Sequence, residues 1–577
     1  MLRTDSRRLT GPSLLLAVPG AILDIDTAGA DAAAQDALTA AWEARVRAAM
    51  DALGWPAPAL ASRRFAGGLS LACSAPLDRL YTATEVNEWA FDGAPGATAE
   101  APAPPLADAL EALRAAEARE ANPGLLVLAD AARRLDLRLL ADDAKVTVGE
   151  GRYGLTWPAR ELPAPSETPW NALADIPTAL VTGSNGKTTT VRLLAAMARA
   201  AGRVTGHTST DAIVVGTEVV DEGDWAGPGG ARLLLRDARV ELAVLETARG
   251  GILRRGLAVD RADVAVITNI AADHFGEFGI ADLESLADVK WVVTRAVRDG
   301  GRIVLNADDP HLVARGRRRR GQVLWFSLDA ANPVLSDPRS AGAGAVVAED
   351  GALVLRDGTR RTVVERLDRI PITFGGGASH NVANAAAATA AAHALGLPLA
   401  AIAEALRQFG TAERDNPGRA NLLELGGVRV LVDFAHNPHG MDALVRAARA
   451  LPAARRLVVL GQAGDRDDDA IRGLARSAWA LRPDRVLCKE LEKYRRGRAL
   501  GEVPGLLAAE FRALGLPEAA IGFAADELDA TRQALRWAAA GDLLVLAIHA
   551  NRPGVMTLLG RLRAAGWTPG QPVSDEA

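Results

Sequence analysis

VTGSNGKTTT, residues 181–190, joins two different local patterns. Upstream, TALV at 178–181 is apolar and has the length of a buried strand, while downstream VRLLAAMARAA from Val191 carries apolar residues at helical spacing. Gly183 and Gly186 therefore fall on a strand-to-helix turn. In such a turn the backbone N–H groups and the positive end of the following helix face phosphate oxygens. Lys187 adds a mobile charge, and the Thr188 hydroxyl suits Mg2+. The usual G-x-x-x-x-G-K-S/T pattern would start with glycine at 181, where this chain has Val181, so the loop is a shortened version. Gly183, Asn185, Gly186, Lys187, Thr188 and Thr189 are the expected nucleotide-binding residues, with Lys187 also catalytic.

Lysine is scarce enough to be informative. Of 66 Lys plus Arg, five are lysines: Lys145, Lys187, Lys290, Lys489 and Lys493. Arginine serves elsewhere, and only an amine loses its proton and forms a covalent adduct at ordinary pH, so Lys187 and Lys290 stand out.

Outward from the loop, apolar runs at 240–246, 263–268 and 302–305 alternate with helical segments, which predicts a parallel sheet covered by helices. Ligands on such sheets gather at the carboxyl ends of the strands. From near Asn416, VRVLVDFA, RRLVVLGQAG, DRVLCKE and DLLVLAIHA repeat the pattern as a separate, smaller Rossmann-like domain. Before the loop lie Ala-rich helical stretches such as ADALEALRAAEARE. GAPGATAEAPAPP at 93–105 reads as a mobile loop and WPARELPAPSETPW at 157–170 as a linker. The expected architecture is α/β: an N-terminal α+β region over 1–170, a central P-loop parallel-sheet domain over 171–415 and a C-terminal Rossmann-like domain over 416–577.

The bulk numbers agree. A chain of 577 residues with 49% hydrophobic content supplies cores for three or four domains, and a net charge of −5 carries no nucleic-acid footprint. Cys73 and Cys488 lie far apart, which fits a reducing cytoplasm rather than a disulfide framework. The opening MLRTDSRRLTGPSLLLAVPGA imitates a signal peptide, but Pro19 and Gly20 interrupt its apolar run. No apolar run reaches the ~20 residues that span a bilayer. The expected location is cytoplasmic, with no membrane or nucleic-acid partner. The run RGRRRRG at 315–321 reads as a solvated turn.

Further candidates follow the loop. Glu246 ends VELAVLE, delivering a carboxylate to the rim where Mg2+ and phosphate would sit. ITNIAADHFG brings Asn269, Asp273 and His274 to the same rim, and Lys290 follows on a helical stretch among apolar neighbours. Asp308 and Asp309 either terminate a strand or touch nucleotide. Asn381 and Asn384 share a helix face and could bond adenine or phosphate, or simply cap an alanine-rich packing helix.

The loop T-G-x-N-G-K-T-T resembles that of the Mur ligase family, enzymes that join an amino acid to a carboxylate using ATP. ETARGGILRRGL, ITNIAADHFG and the GDR-D-D-x-I-R stretch are most like the Mur-ligase-like half of cyanophycin synthetase. The resemblance implies an ATP-dependent carbon–nitrogen ligase acting on a small-molecule or peptide carboxylate and an amine. It implies two Mg2+ ions, with Thr188, Glu246 and His274 as metal ligands, and a carbamylated Lys290. Lys187, His274 and Lys290 are then catalytic. It also directs Arg419 toward phosphate and Asp433 toward ribose or metal, in the segment that includes His436 and Asn437, and places Asp465 and Arg466 near the amino-acid substrate, although their acidic run equally reads as a solvated helix start. The opening RRLTGPSLLLAVPGAILDID looks like the start of that enzyme's N-terminal domain, but about 170 residues cannot also hold its ATP-grasp domain, so one ATP site is expected. CKELEKYRRGRALGE at 488–502 departs from the family's acidic version. A basic patch of Lys489, Lys493, Arg495 and Arg496 there would repel arginine and attract a carboxylate. A P-loop NTPase or kinase of another kind and a non-catalytic partner of a polymer synthetase are the alternatives, and a homo-oligomer is compatible with the sequence.

Overall fold

A computed structural model describes residues 1–98, 103–272, 275–319, 321–338, 342 and 344–573. Its centre is an 11-stranded sheet whose middle seven strands run parallel. Thr178–Thr182 lies between Leu242–Glu246 and Ala262–Ile267, which places their carboxyl ends side by side. These strands are nearly continuous apolar runs because helices cover both faces. Leu180, Leu245, Ala265 and Ile267 enter one core, while Ala179, Val181, Val244 and Val266 enter the other, following the two-residue period of the strand. The helices Lys187–Ala200, Ser379–Ala394 and Leu399–Gln408 close the second face. Each fully buried Val or Leu contributes about 1.5–3 kcal/mol.

The expected Rossmann-like block is a six-stranded sheet in which Val428–Asp433, Leu543–Ala547, Arg456–Leu460, Arg485–Lys489 and Ile521–Ala524 are parallel neighbours. Its first strand, Asn421–Leu425, pairs antiparallel at one edge.

The N-terminal region holds more strand than its helical stretches announce. Leu2–Leu9, Gly20–Asp26, Gly68–Ser74 and Leu60–Phe65 form an antiparallel sheet. The helices Ala32–Ala52 and Leu80–Asp92 pack on it, joined by a buried bond from Trp42 Nε1 to Asn87 Oδ1 of 2.7 Å. LRTDSRRL hid its strand because polar residues interrupt the apolar alternation. The proline-rich 157–170 segment is packed rather than extended: Trp157, Leu162 and Trp170 cover a small core with Leu128 and Val148. The expected mobile loop at 93–105 falls partly on 99–102, outside the described residues. No helix among the described residues is long and apolar enough to cross a membrane.

Candidate active site

The glycines of the loop are required by geometry. Gly183 (φ 148°) has backbone that side chains rarely adopt, and a Cβ there would collide with Thr268 Oγ1. Gly186 (φ 82°) precedes the helix Lys187–Ala200, and its Cβ would collide with Asn384 Oδ1. The neighbouring strand end braces the loop. Asn269 Oδ1 accepts from Asn185 N at 3.0 Å, Asn269 Nδ2 donates to Asn185 O at 3.0 Å, and Thr268 Oγ1 donates to the same carbonyl at 2.6 Å. Lys187 Nζ donates to its own loop, at 3.0 Å to Gly183 O and 3.2 Å to Ser184 O.

Parallel register sets Glu246 beside Val181, and Thr188 Oγ1 donates to Glu246 Oε2 at 2.8 Å. Glu246 is buried, and its Oε1 has no hydrogen-bond partner among the described residues. Burial raises its pKa against the opposing pull of Lys187 and Arg419. A buried carboxylate oxygen left open beside a hydroxyl fits a hard cation such as Mg2+.

The C-terminal sheet supplies the opposite wall. Asn437 Nδ2 donates to Asn185 Oδ1 at 3.1 Å, His439 Nδ1 meets Asn185 Nδ2 at 3.0 Å, and Asn416 Nδ2 donates to Thr189 Oγ1 at 3.1 Å. Asp433, whose pKa burial raises, accepts from Ala420 N at 2.8 Å. The Arg419 guanidinium stacks on Phe434, 4.2 Å from the ring centroid. Asp211, which the sequence reading missed, gathers three cations: Arg192 at 2.8 Å, Arg552 in direct contact and Arg419 at 3.9 Å. Burial lowers the Arg192 pKa to about 10 and depresses that of Arg419 as well. Arg192 Nη1 and Arg419 Nε are buried without a hydrogen-bond partner among the described residues. Three guanidinium groups around one carboxylate leave an electropositive pocket beside the loop.

These parts enclose a cavity of about 1320 Å³. Its lining includes Asn185, Gly186, Lys187, Thr188, Thr189, Glu246, Lys290, Asn381, Asn384, Arg419 and Asp433. Gly183 shapes the loop from behind Thr268. Lys290 is 3% exposed on the helix Leu283–Trp291. His274, the expected catalytic metal ligand, and Asp273 lie outside the described residues. Asn381 Nδ2 donates to Ile372 O at 2.9 Å and Asn384 Nδ2 to Asn381 Oδ1 at 3.2 Å, so the pair braces the helix start where it meets Gly186. Asp309 caps the helix Pro310–Gly316 and accepts from Ile270 N at 2.6 Å, and Asp308 binds Ser327 and Leu328 N, so both carboxylates are engaged in chain turns. The expected basic patch loses Lys489, which is fully buried and paired with Glu527, because its strand end points inward. Tyr494 and Arg496 do reach the cavity, with Asp465 and Arg466.

Residues 181–392 match the Mur ligase middle domain, and residues 418–547 match the Mur ligase glutamate ligase domain. The chain belongs to the Mur ligase family. Neither match reaches the N-terminal region. Cyanophycin synthetase of Crocosphaera subtropica is 39% identical over 381 residues, 64% of this chain and 43% of that protein. Cyanophycin synthetase of Synechocystis is 42% identical over 350 residues, 61% of this chain and 39% of that protein. The chain thus spans about two fifths of the length of these relatives. UDP-N-acetylmuramate–L-alanine ligase of Kineococcus radiotolerans is 32% identical over 49% of this chain and 53% of that protein. Among solved structures, E. coli FolC in complex with ADP shares the fold at TM-score 0.50 and 21% identity, covering 67% of this chain and 90% of that one. Asp211, Arg192 and Arg552 had no local Mur ligase signal to find them. Asp211 follows a strand end in TSTD, and Arg552 sits 341 positions away.

Proposed function

We propose that the chain is an ATP-dependent carbon–nitrogen ligase of Mur type, activating a carboxylate as an acyl phosphate and joining an amine to it, in chemistry related to cyanophycin synthesis. The observation that carries this reading is the convergence of Lys187, the open Glu246 oxygen, Lys290 and the C-terminal Arg419 and Asp433 on one cavity. An ordinary P-loop hydrolase has no need of the last two.

ATP enters with its triphosphate against the backbone N–H groups of the 183–189 loop. Lys187 exchanges its two loop carbonyls for phosphate oxygens, and Arg419 approaches from the other wall. Thr188 and the open oxygen of Glu246 would hold a Mg2+, which would supply positive charge against the negative charge developing on the phosphates. The fuller proposal adds a second Mg2+, which His274 would help to hold, and a carbamate on Lys290, a buried lysine that lines the same cavity as Glu246. Asn437, His439 and Asn416 hold the C-terminal sheet on the loop, so positioning is the main contribution of the protein. Opening of that sheet is the gating motion.

Phosphate release screened over amino acids with aspartyl and glutamyl peptides tests the reading. The expected result is release that needs both carboxylate and amine, with a product mass equal to their sum less water. Release independent of any amine identifies an NTPase instead. Replacing Lys290→Ala is expected to lower ligation, with partial rescue by short carboxylic acids; full activity without them removes the carbamate.

A further inference from the structure

The antiparallel N-terminal sheet does more than sit beside the ligase domains. Arg63, on its edge strand Leu60–Phe65, donates through Nη2 to Phe278 O at 2.6 Å and through Nη1 to Gly279 O at 3.1 Å. The Phe65 ring lies against Gly279 so closely that a Cβ there would collide with it. Arg7, on Leu2–Leu9, places its guanidinium 4.7 Å from the Phe278 ring centroid and donates through Nε to Leu253 O at 3.1 Å. Arg7 is itself fixed by Asp24 at 2.6 Å, which Ser70 also bonds at 2.6 Å.

The gripped backbone is unusual. Phe278 has φ 53° and Gly279 has φ 65°, and a left-handed aromatic residue persists where its surroundings determine it on several sides. One residue earlier, Glu277 pairs with Arg249, which opens the helix Arg249–Arg255 just beyond Glu246. Glu277, Arg249 and Lys290 all line the cavity. One residue later, Ile280 anchors in the core ahead of the Lys290 helix, which Asp282 caps.

We propose that the N-terminal sheet is a working part of the carboxylate-acceptor wall, with Arg63 a positioning residue that holds 277–279 so that the Glu277–Arg249 pair shapes the acceptor arm. This rests on reading the Glu246 and Lys290 side of the cavity as the acceptor side. The sheet reaches the chemistry through the backbone of one turn, and a guanidinium suits that task because its planar fork spans two adjacent carbonyls.

The test uses the full chain with Arg63→Ala, Arg63→Lys and the control Arg64→Ala, whose side chain contacts Asp36 on the outer face. Hydrogen exchange of the peptide 275–282 is expected to rise at least ~10-fold in Arg63→Ala and to stay unchanged in the control. The KM for the aspartyl or glutamyl peptide selected by the phosphate-release screen is expected to rise at least ~10-fold in Arg63→Ala, with Mg-ATP affinity and thermal midpoint near those of the parent. Added guanidinium is expected to restore part of that loss, and Arg63→Lys to fall between. Unchanged exchange overturns the proposal, as does a parallel loss of Mg-ATP affinity, which marks general loosening. If no peptide turns over, the ligase reading fails while the exchange measurement still decides whether the clamp exists.

Discussion

Lys187 and Glu246 occupy the same rim with opposite needs. The lysine is satisfied by loop carbonyls, which a phosphate can replace, whereas Glu246 keeps one buried oxygen open. Replacing Lys187→Ala removes a preorganised cation from the site of charge development and is expected to cut turnover at least ~10²-fold, measured as product formation at saturating ATP. Near-normal turnover would remove Lys187 from the mechanism. His207 makes a separate residue-scale prediction. Burial, aided by Arg192 and Arg199, pushes its pKa down to about 3, so the folded chain refuses a proton that the unfolded chain accepts below about 6.5. Its stabilising contribution is complete above that value and falls as pH drops toward 3, by about 2 kcal/mol at pH 5. Thermal unfolding from pH 7 to 5 is expected to show at least this slope and His207→Phe to lessen it, while the buried His380 and His549, whose pKa values burial also lowers, keep contributing; an equal slope in both chains rules His207 out as a source.

At the scale of elements, the loop and the helix Ser379–Ala394 fit each other through a missing side chain. Gly186→Ala introduces a Cβ at φ 82° against Asn384 Oδ1. The left-handed backbone alone costs about 1–3 kcal/mol. Nucleotide affinity and thermal midpoint are both expected to fall. The double variant with Asn384→Ala should recover only the collision, which calorimetric titration with Mg-ATP would resolve. Full recovery in the double variant would mean that the backbone conformation carries no penalty.

At the scale of the molecule, Asp211 holds the central and C-terminal sheets together by counter-charging Arg192, Arg419 and Arg552. Asp211→Ala strands buried guanidinium groups, a loss on the order of 3–5 kcal/mol. Because triphosphate supplies replacement charge, the rise in thermal midpoint on adding Mg-ATP is expected to exceed that of the parent chain. A smaller rise would show that Asp211 itself is needed for nucleotide binding.

What the sequence by itself determined is what local pattern encodes. Gly183 to Thr189, the apolar strands ending at Thr182 and Glu246, and the second α/β block all follow from glycine conformation, hydrophobic period and the rule that strand ends collect ligands. The resemblance at Arg419 and Asp433 pointed to the cavity that they line. Only the tertiary structure decided that Lys489 is buried with Glu527 rather than exposed in a basic patch, that Asn381 and Asn384 brace the helix start, and that Asp211 gathers cations from the helix Lys187–Ala200 and from the chain beyond residue 415. Nor did any local signal join Arg63 to Phe278, 215 positions away. The physical reason is common to all four cases: a polar side chain's role depends on which charges and carbonyls surround it after packing, and sequence spacing carries no record of those distant partners.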